Sequence, residues 1–445
     1  MGTFTNIYPL DNRLSGTLGN VTRWKEKTRN VLRDPLPLPL VESDEANSDS
    51  IQQALPSELE NGVISRNSDC YPRANPSDQA AGSDIQLDYS KDSRIVLASS
   101  SIILALAGVG LSVADRLLTE HEGIRVCLAC RNKGRAENAR ARLLQRHSSA
   151  NISIIIVDTS SVESVIRASE EIRKKFTRLD YIYLNAGVMK VSSINWSKVL
   201  AIFSSQGARI LSTGWGVLNH IDEVTPDGLQ EIFATNLFGH FVMVRELEDY
   251  LGGTQTTQII WTSSQNANAD DFSYTNIQHR NGKEPYASSK YATDVVSVAL
   301  NDRLNKKGVY SVSTCPGLVM SNMTFGILPS WFWFLVMPFL FFMRLFVTSL
   351  TCNAYNAAEA LIWISKQRCE SLNSRIKYCS HCSIFGKPYV AEEKLNISEK
   401  DADNLYNQME GLYQGFKSKY RNGTSRTAKD SVSNGLQNGI QNGFH

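Results

Sequence analysis

The chain has 445 residues, a formal net charge of +2, 42% apolar residues and 20% charged residues. Such a composition is ordinary for a globular protein and allows a real core. The near balance of charge gives no reason to expect nucleic acid as a partner, and the length permits one large domain or two ordinary ones. The eight cysteines are scattered and form no dense disulfide framework, which fits a reducing, cytosol-facing environment. Met1 to Asp11 lack a basic segment followed by an apolar run, so no secretory leader is expected.

Residues 1–92 are rich in Ser, Asn, Asp, Glu and Pro, with Pro35-Leu-Pro-Leu-Pro-Leu40 as the one notable local feature. They read as a disordered extension. The texture changes near residue 93. Arg94–Leu97, Ile124–Ala129, Ile152–Val157 and Leu179–Leu184 read as strands, with Val113–Glu120, Asn132–Arg146 and Val162–Phe176 as the helices between and after them. Asp227–Tyr250 reads as a long helix, Gln258–Thr262 as a fifth strand, Tyr286–Asn305 as a helix and Tyr310–Thr314 as a sixth strand. Apolar strands alternating with helices predict an α/β fold, a doubly wound (Rossmann-type) parallel sheet with helices on both faces, over residues 93–320.

Residues 321–350 contain a strongly apolar run, 327–343, bent by Pro329 and Pro338 and ended by Arg344. It is short against the roughly 20 residues of a straight bilayer span, and its clustered Trp and Phe suit an interface anchor. Membrane contact is the expectation, with a buried core helix as the alternative. Residues 351–424 read as mostly helical, and 425–445, with repeated Asn-Gly, as a disordered tail.

The chemistry concentrates in Tyr286-Ala-Ser-Ser-Lys290. This spacing on a helix places tyrosine and lysine on one face. An adjacent ammonium favours the phenolate, which predicts that Tyr286 titrates below the ordinary value of about 10 and serves as an acid and base. The same ammonium can hold ribose hydroxyls. Ser264 ends the fifth predicted strand, where its hydroxyl can face a carbonyl; Ser273, thirteen residues before Tyr286, is the second choice because it lies in a polar insert. Asn185-Ala186-Gly187 follows the fourth strand, where glycine permits close approach of a cofactor. Asn236 lies on the intervening helix, where its amide could hold a water behind the lysine. Pro316 and Gly317 follow the sixth strand. Each element falls at the carboxyl end of a strand or just beyond it, where ligands bind in open α/β sheets. Two Cys-x-x-Cys spacings, Cys127/Cys130 and Cys379/Cys382, lack a second ligand pair and read as structural thiols, not a metal site.

Taken together, the Asn-Ala-Gly, Ser-Ser and Tyr-x-x-x-Lys set resembles the short-chain dehydrogenase/reductase family over about 93–420. The stretches Val126–Asn132, Ile182–Gly187, Asp227–Phe233 and Lys283–Asp294, with the apolar run, resemble its sterol-ketone reductases. The resemblance implies NADPH-dependent reduction of a sterol 3-ketone to the 3-hydroxyl in cholesterol-type sterol synthesis, with estrone a second substrate. It also implies a place on the endoplasmic reticulum membrane with the catalytic part facing the cytosol, and it is compatible with a homo-oligomer. Ser264, Tyr286, Lys290 and Asn236 become the catalytic set, with Ser264 and Ser273 toward substrate. Gly108, Gly110, Arg131, Asp158, Asn185, Ala186, Gly187, Tyr286, Lys290, Pro316 and Gly317 become the cofactor-binding set. Arg131, after the second strand, suits a 2′-phosphate, to which a guanidinium can bond bidentately.

One departure stands out. The family's first turn reads Thr-Gly-x-x-x-Gly-x-Gly. Here 97–110 matches only its last two glycines, at Gly108 and Gly110, and the loop is several apolar residues longer. The turn is either remodelled or the trace of an altered exon boundary. Two rival functions follow: a non-catalytic, membrane-attached interaction protein with a degraded nucleotide loop, or a retinoid or acyl reductase on the same scaffold.

Overall fold

The structure, a computed structural model, describes residues 95–99, 108–121, 123–201, 204–319, 338 and 342–441. The 1–92 extension, most of the 97–110 turn and nearly all of the 327–343 run lie outside the described residues.

Strand β1 (Ile95–Ser99) leads to helix α1 (Val109–Glu120), then β2 (Arg125–Cys130), α2 (Lys133–Arg146), β3 (Asn151–Ile156), α3 (Val162–Lys175) and β4 (Tyr181–Leu184). An insertion follows: β5 (Val191–Ile194), α4 (Trp196–Leu200), α5 (Gly207–Thr213) and β6 (Leu218–His220). Next come α6 (Glu231–Phe233), a π turn (Ala234–Phe238) and α7 (Gly239–Leu247). The chain continues through β7 (Thr257–Thr262), α8 (Pro285–Leu304) and β8 (Val309–Cys315). It then forms short helices α9 (Ala354–Ala357) and α10 (Glu359–Ser365), the hairpin β9 (Ile376–Cys382) and β10 (Pro388–Lys394), and α11 (Glu399–Gln441).

Eight strands form one sheet in the order β10-β9-β8-β7-β4-β1-β2-β3. Pairing is parallel throughout except between β9 and β10. The six expected strands are present with ends shifted by a residue or two. The order reverses at β1, with β2 on one side and β4 on the other, so the crevice between their carboxyl ends is where a ligand is expected.

Alternation along β4 shows how the sheet divides the core. Ile182 and Leu184 join the cluster under α3, α7, α8 and α11, while Tyr181 and Tyr183 face the cluster under α1, α2 and α10. The two tyrosines stay satisfied by donating to Ser365 O (3.0 Å) and Leu361 O (3.4 Å) of α10. Each fully buried Leu or Phe in these layers contributes about 1.5–3 kcal/mol.

Two helices differ from expectation. The helix expected from Asp227 begins at Glu231, because Gly228 takes a left-handed turn (φ 80°) and the Asp227 carboxylate accepts from Val162 N at 2.9 Å instead. Helix α11 extends through the Asn-Gly-rich tail to Gln441, where irregular chain was expected. Its docked stretch buries Leu405, Met409 and Tyr413, four residues apart, and a helix once nucleated propagates readily. No described helix is long and apolar enough to cross a membrane.

Candidate active site

The turn after β4 is held from behind by the helix that carries the π turn. Asn236 accepts from Val188 N (2.7 Å) and donates to Val188 O (3.1 Å) and Ser289 Oγ (3.0 Å). Four residues on, the fully buried His240 ring meets Ala186 O at 2.9 Å and stands edge-on to Trp261. Burial pushes this imidazole down to about 4, so it is neutral and Nε2–H is the donor. A π turn at Asn236 fits the tendency of such turns to occur at functional sites. Both N–H groups of the Asn236 amide are taken, so a water behind the lysine would find no donor on this side chain. The amide clamps the Asn185–Val188 turn instead.

Gly187 makes the clamp compact. A Cβ there would stand 3.4 Å from Asn236 Oδ1 and 3.5 Å from Lys290 Nζ, in van der Waals contact with both. Lys290 itself is buried and donates to Thr262 O at the end of β7 (2.7 Å). Burial pushes its ammonium down to about 8. Tyr286, one turn earlier on α8, keeps some contact with solvent. Its phenol is within hydrogen-bonding reach of the Ser264 side chain, and burial pushes it up to about 12, against the smaller downward pull of Ser264. The expected lowering of Tyr286 by Lys290 is therefore overturned. The Nζ lies 5.8 Å from the phenol ring centre and is bonded to a carbonyl, so desolvation dominates. A phenol that stays protonated at neutral pH is a proton donor.

Of the two serines, the structure brings Ser264 to Tyr286 and not Ser273. Ser273 is exposed, and its hydroxyl is engaged with Thr275 at 2.9 Å.

The dinucleotide side of the crevice is more open. Gly108 is the N-cap of α1 and, lacking a side chain, makes no cap hydrogen bond; among the described residues no atom lies within 4 Å of where a Cβ would stand. An N-terminus of this kind offers backbone N–H groups to an anion. Gly110 is buried in the first turn. Arg131 ends β2, is 46% exposed and lies 3.7 Å from Asp158, a loose pairing. Asp158 also accepts from Ser160 N (3.0 Å) and Ser160 Oγ (2.6 Å), so it shapes the turn after β3. Gly317 needs its left-handed φ of 73°, and a Cβ would lie 2.5 Å from Ser349 O; Thr351 Oγ1 donates to Pro316 O at 3.0 Å. An uncapped helix N-terminus, a guanidinium at the second strand and an amine beside a side-chain-free Gly187 are the donor set that a nicotinamide dinucleotide needs. The described residues fit one.

Three residues escaped the sequence. The interval from Asn236 to His240 was the only signal for His240. His220, from β6, and Glu284, just before α8, meet beside Tyr286 and gave no local signal. The four cysteines of the two Cys-x-x-Cys pairs are free buried thiols on β2 and β9.

This fold and this constellation define a nicotinamide-dependent oxidoreductase. The short chain dehydrogenase family profile matches residues 101–329, and the chain belongs to that family. It is 46% identical over 304 residues to the rat (Rattus norvegicus) 3-keto-steroid reductase/17-beta-hydroxysteroid dehydrogenase 7, covering 68% of this chain and 91% of that protein. The human (Homo sapiens) protein of the same name is 45% identical over 307 residues, covering 68% and 90%. The 3-keto-steroid reductase erg27 of Schizosaccharomyces pombe is 29% identical over 327 residues, covering 70% and 95%.

Proposed function

We propose that this chain reduces the 3-ketone of a sterol to the 3-hydroxyl with NADPH, in sterol synthesis of the cholesterol type, and that estrone is a second substrate. The observation that carries the reading is the Tyr286 phenol within hydrogen-bonding reach of Ser264 at the strand ends, in a chain so similar to proteins named 3-keto-steroid reductase. The α1 N-terminus, Arg131, Gly187 and Lys290 would hold the dinucleotide, which would supply the hydride equivalent for the ketone carbon. Ser264 and Tyr286 hydrogen-bond the ketone oxygen. Charge develops on that oxygen as the carbonyl is reduced, so donors already in place lower the barrier. Tyr286 gives up its proton, and Lys290, titrating at about 8, is placed to restore it. Asn236 and His240 hold the turn that seats Lys290.

The same reading places the chain at the endoplasmic reticulum membrane, catalytic side to the cytosol, through the 327–343 run. Phe342 and Phe346, 57% and 70% exposed where the run ends, support it. A sterol then enters from lipid, and each buried CH₂ contributes about 0.8 kcal/mol to its binding.

The test is a competition assay with membranes carrying the full chain, NADPH and equal amounts of a 3-keto sterol, estrone and retinal. Consumption of the 3-keto sterol first is expected. Preference for retinal would overturn the substrate, and reduction of none would favour the non-catalytic alternative.

A further inference from the structure

Beside the donors to the ketone lies a second group of polar side chains with no part in the chemistry above. The His220 ring lies nearly parallel to that of Tyr286, centroids 6.4 Å apart and planes 15° from parallel. Its Nε2 is 3.5 Å from Glu284 Oε2, and the two side chains are only 3% and 17% exposed. Glu284 Oε2 is buried and makes no hydrogen bond of ordinary geometry. The position of Glu284 is also unusual. It is the N-cap of α8, where a side-chain acceptor normally satisfies a backbone N–H, yet its carboxyl makes no cap bond.

The two residues come from parts of the chain with nothing else in common. His220 ends β6, the last strand of the insertion, and the next residue ties back through Ile221 N to Lys190 O. Glu284 precedes Pro285 and Tyr286 at the start of the catalytic helix. Their meeting joins the insertion to the ring of Tyr286. We propose that His220 and Glu284 form a positioning pair: the carboxyl, 3.5 Å from the imidazole, keeps that ring parallel to the Tyr286 phenol, and so fixes the hydroxyl toward Ser264 and the ketone oxygen. This rests on the role assigned above to Tyr286.

The surroundings favour orientation over charge. Burial lowers His220 and raises Glu284 to about 7, where the charge of Asp271 adds to the rise. The Lys190 carbonyl faces the imidazole, while the Lys190 ammonium is committed to Glu223 and Glu231. The His279 ring accepts from the Glu284 backbone N–H at 3.2 Å. A neutral imidazole can lie parallel to a phenol without opposing its protonation, and offset aromatic rings attract each other beyond the area they bury.

The experiment compares His220→Ala, His220→Phe and Glu284→Gln in the full chain. Two quantities are read: kcat and KM for a 3-keto sterol across pH, and the phenolate absorbance titration of Tyr286, taken as the difference from the same protein carrying Tyr286→Phe. Loss of orientation should lower kcat about tenfold in His220→Ala, with KM for NADPH unchanged and the Tyr286 titration moved. His220→Phe restores a flat ring and should recover most of the kcat. Glu284→Gln should lower kcat less than His220→Ala does and remove any inflection near neutral pH. An unmoved titration and unchanged kcat in His220→Ala would overturn the proposal, as would a His220→Phe variant that is folded yet no better than His220→Ala. The titration needs no substrate, so a protein that reduces no ketone defeats the functional reading and still answers this one.

Discussion

At the ends of β4 and β7, the polar side chains are buried and individually engaged: Asn236 with Val188 and Ser289, His240 with Ala186, Lys290 with Thr262. At the ends of β2 and β3, Arg131 and Asp158 are partly exposed and meet at only 3.7 Å, and the nearby N-terminus of α1 has no side-chain cap. The crevice thus joins a rigid half to an open half. Rigid buried donors fix the geometry of a reacting oxygen, whereas exposed charges discriminate between ligands at little cost to the fold. On the proposed function, chemistry and cofactor choice fall in different halves, and substitutions in each should fail differently.

The largest effect is expected in the rigid half. Tyr286→Phe removes one oxygen and little packing, so turnover should fall by about two orders of magnitude or more, the scale for losing a general acid. Thermal unfolding should barely move. Near-normal turnover would remove Tyr286 from the mechanism. Asn236→Ala tests the clamp. It leaves both polar groups of the buried Val188 backbone without their side-chain partner, and each unsatisfied group costs about 1–3 kcal/mol. Urea unfolding should show a loss on that scale, with kcat falling alongside. A clamp that contributes nothing would leave the midpoint where it was.

The pH profile sharpens the same comparison. Lys290 titrates at about 8 and Tyr286 at about 12. The ammonium is present below its folded pKa and is lost as pH rises through it, while the phenol stays protonated well beyond. The limb set by Lys290 should therefore begin near pH 8 and fall about tenfold per unit above it. A limb that appears only above pH 10 would show that Lys290 does not control proton return.

Legibility followed the same division. Tyr286 and Lys290 lie on one helix turn, and Asn185–Gly187 follows directly on a strand, so local spacing exposed them. Ser264 was preferred over Ser273 because a residue that ends a buried strand has a fixed direction, and an insert does not. The partners of these residues were hidden because they come from far along the chain. Nothing near His220 announces that it will meet Glu284, since only the return of the β5–β6 insertion brings it there. The pKa of Tyr286 was misread for a related reason: spacing showed an ammonium nearby, but the competing carbonyl of Thr262 belongs to another strand. The six strands were legible because buried parallel strands are continuous apolar runs. The hairpin of β9 and β10 was not, because its sequence mixes Lys, Glu, Ser and Cys.

The smallest effect should come from the open half, at Arg131. The side chain is nearly half exposed and its pairing with Asp158 is long, so removing it should alter stability by no more than about 0.5 kcal/mol. Its proposed value is to the cofactor. A 2′-phosphate beside a guanidinium gains charge-assisted hydrogen bonds that a 2′-hydroxyl does not. Arg131→Asp both removes that gain and presents a carboxylate, which repels the phosphate and can accept from the hydroxyl. The NADPH preference over NADH should then fall, by about tenfold at most, because exposed charges are weakened by solvent and salt. The measurement is kcat/KM for both cofactors at two ionic strengths. A change that is larger at low salt would place the discrimination at this exposed cation. An unchanged ratio at both salts would show that the end of β2 does not read the ribose, and that the open half binds without choosing.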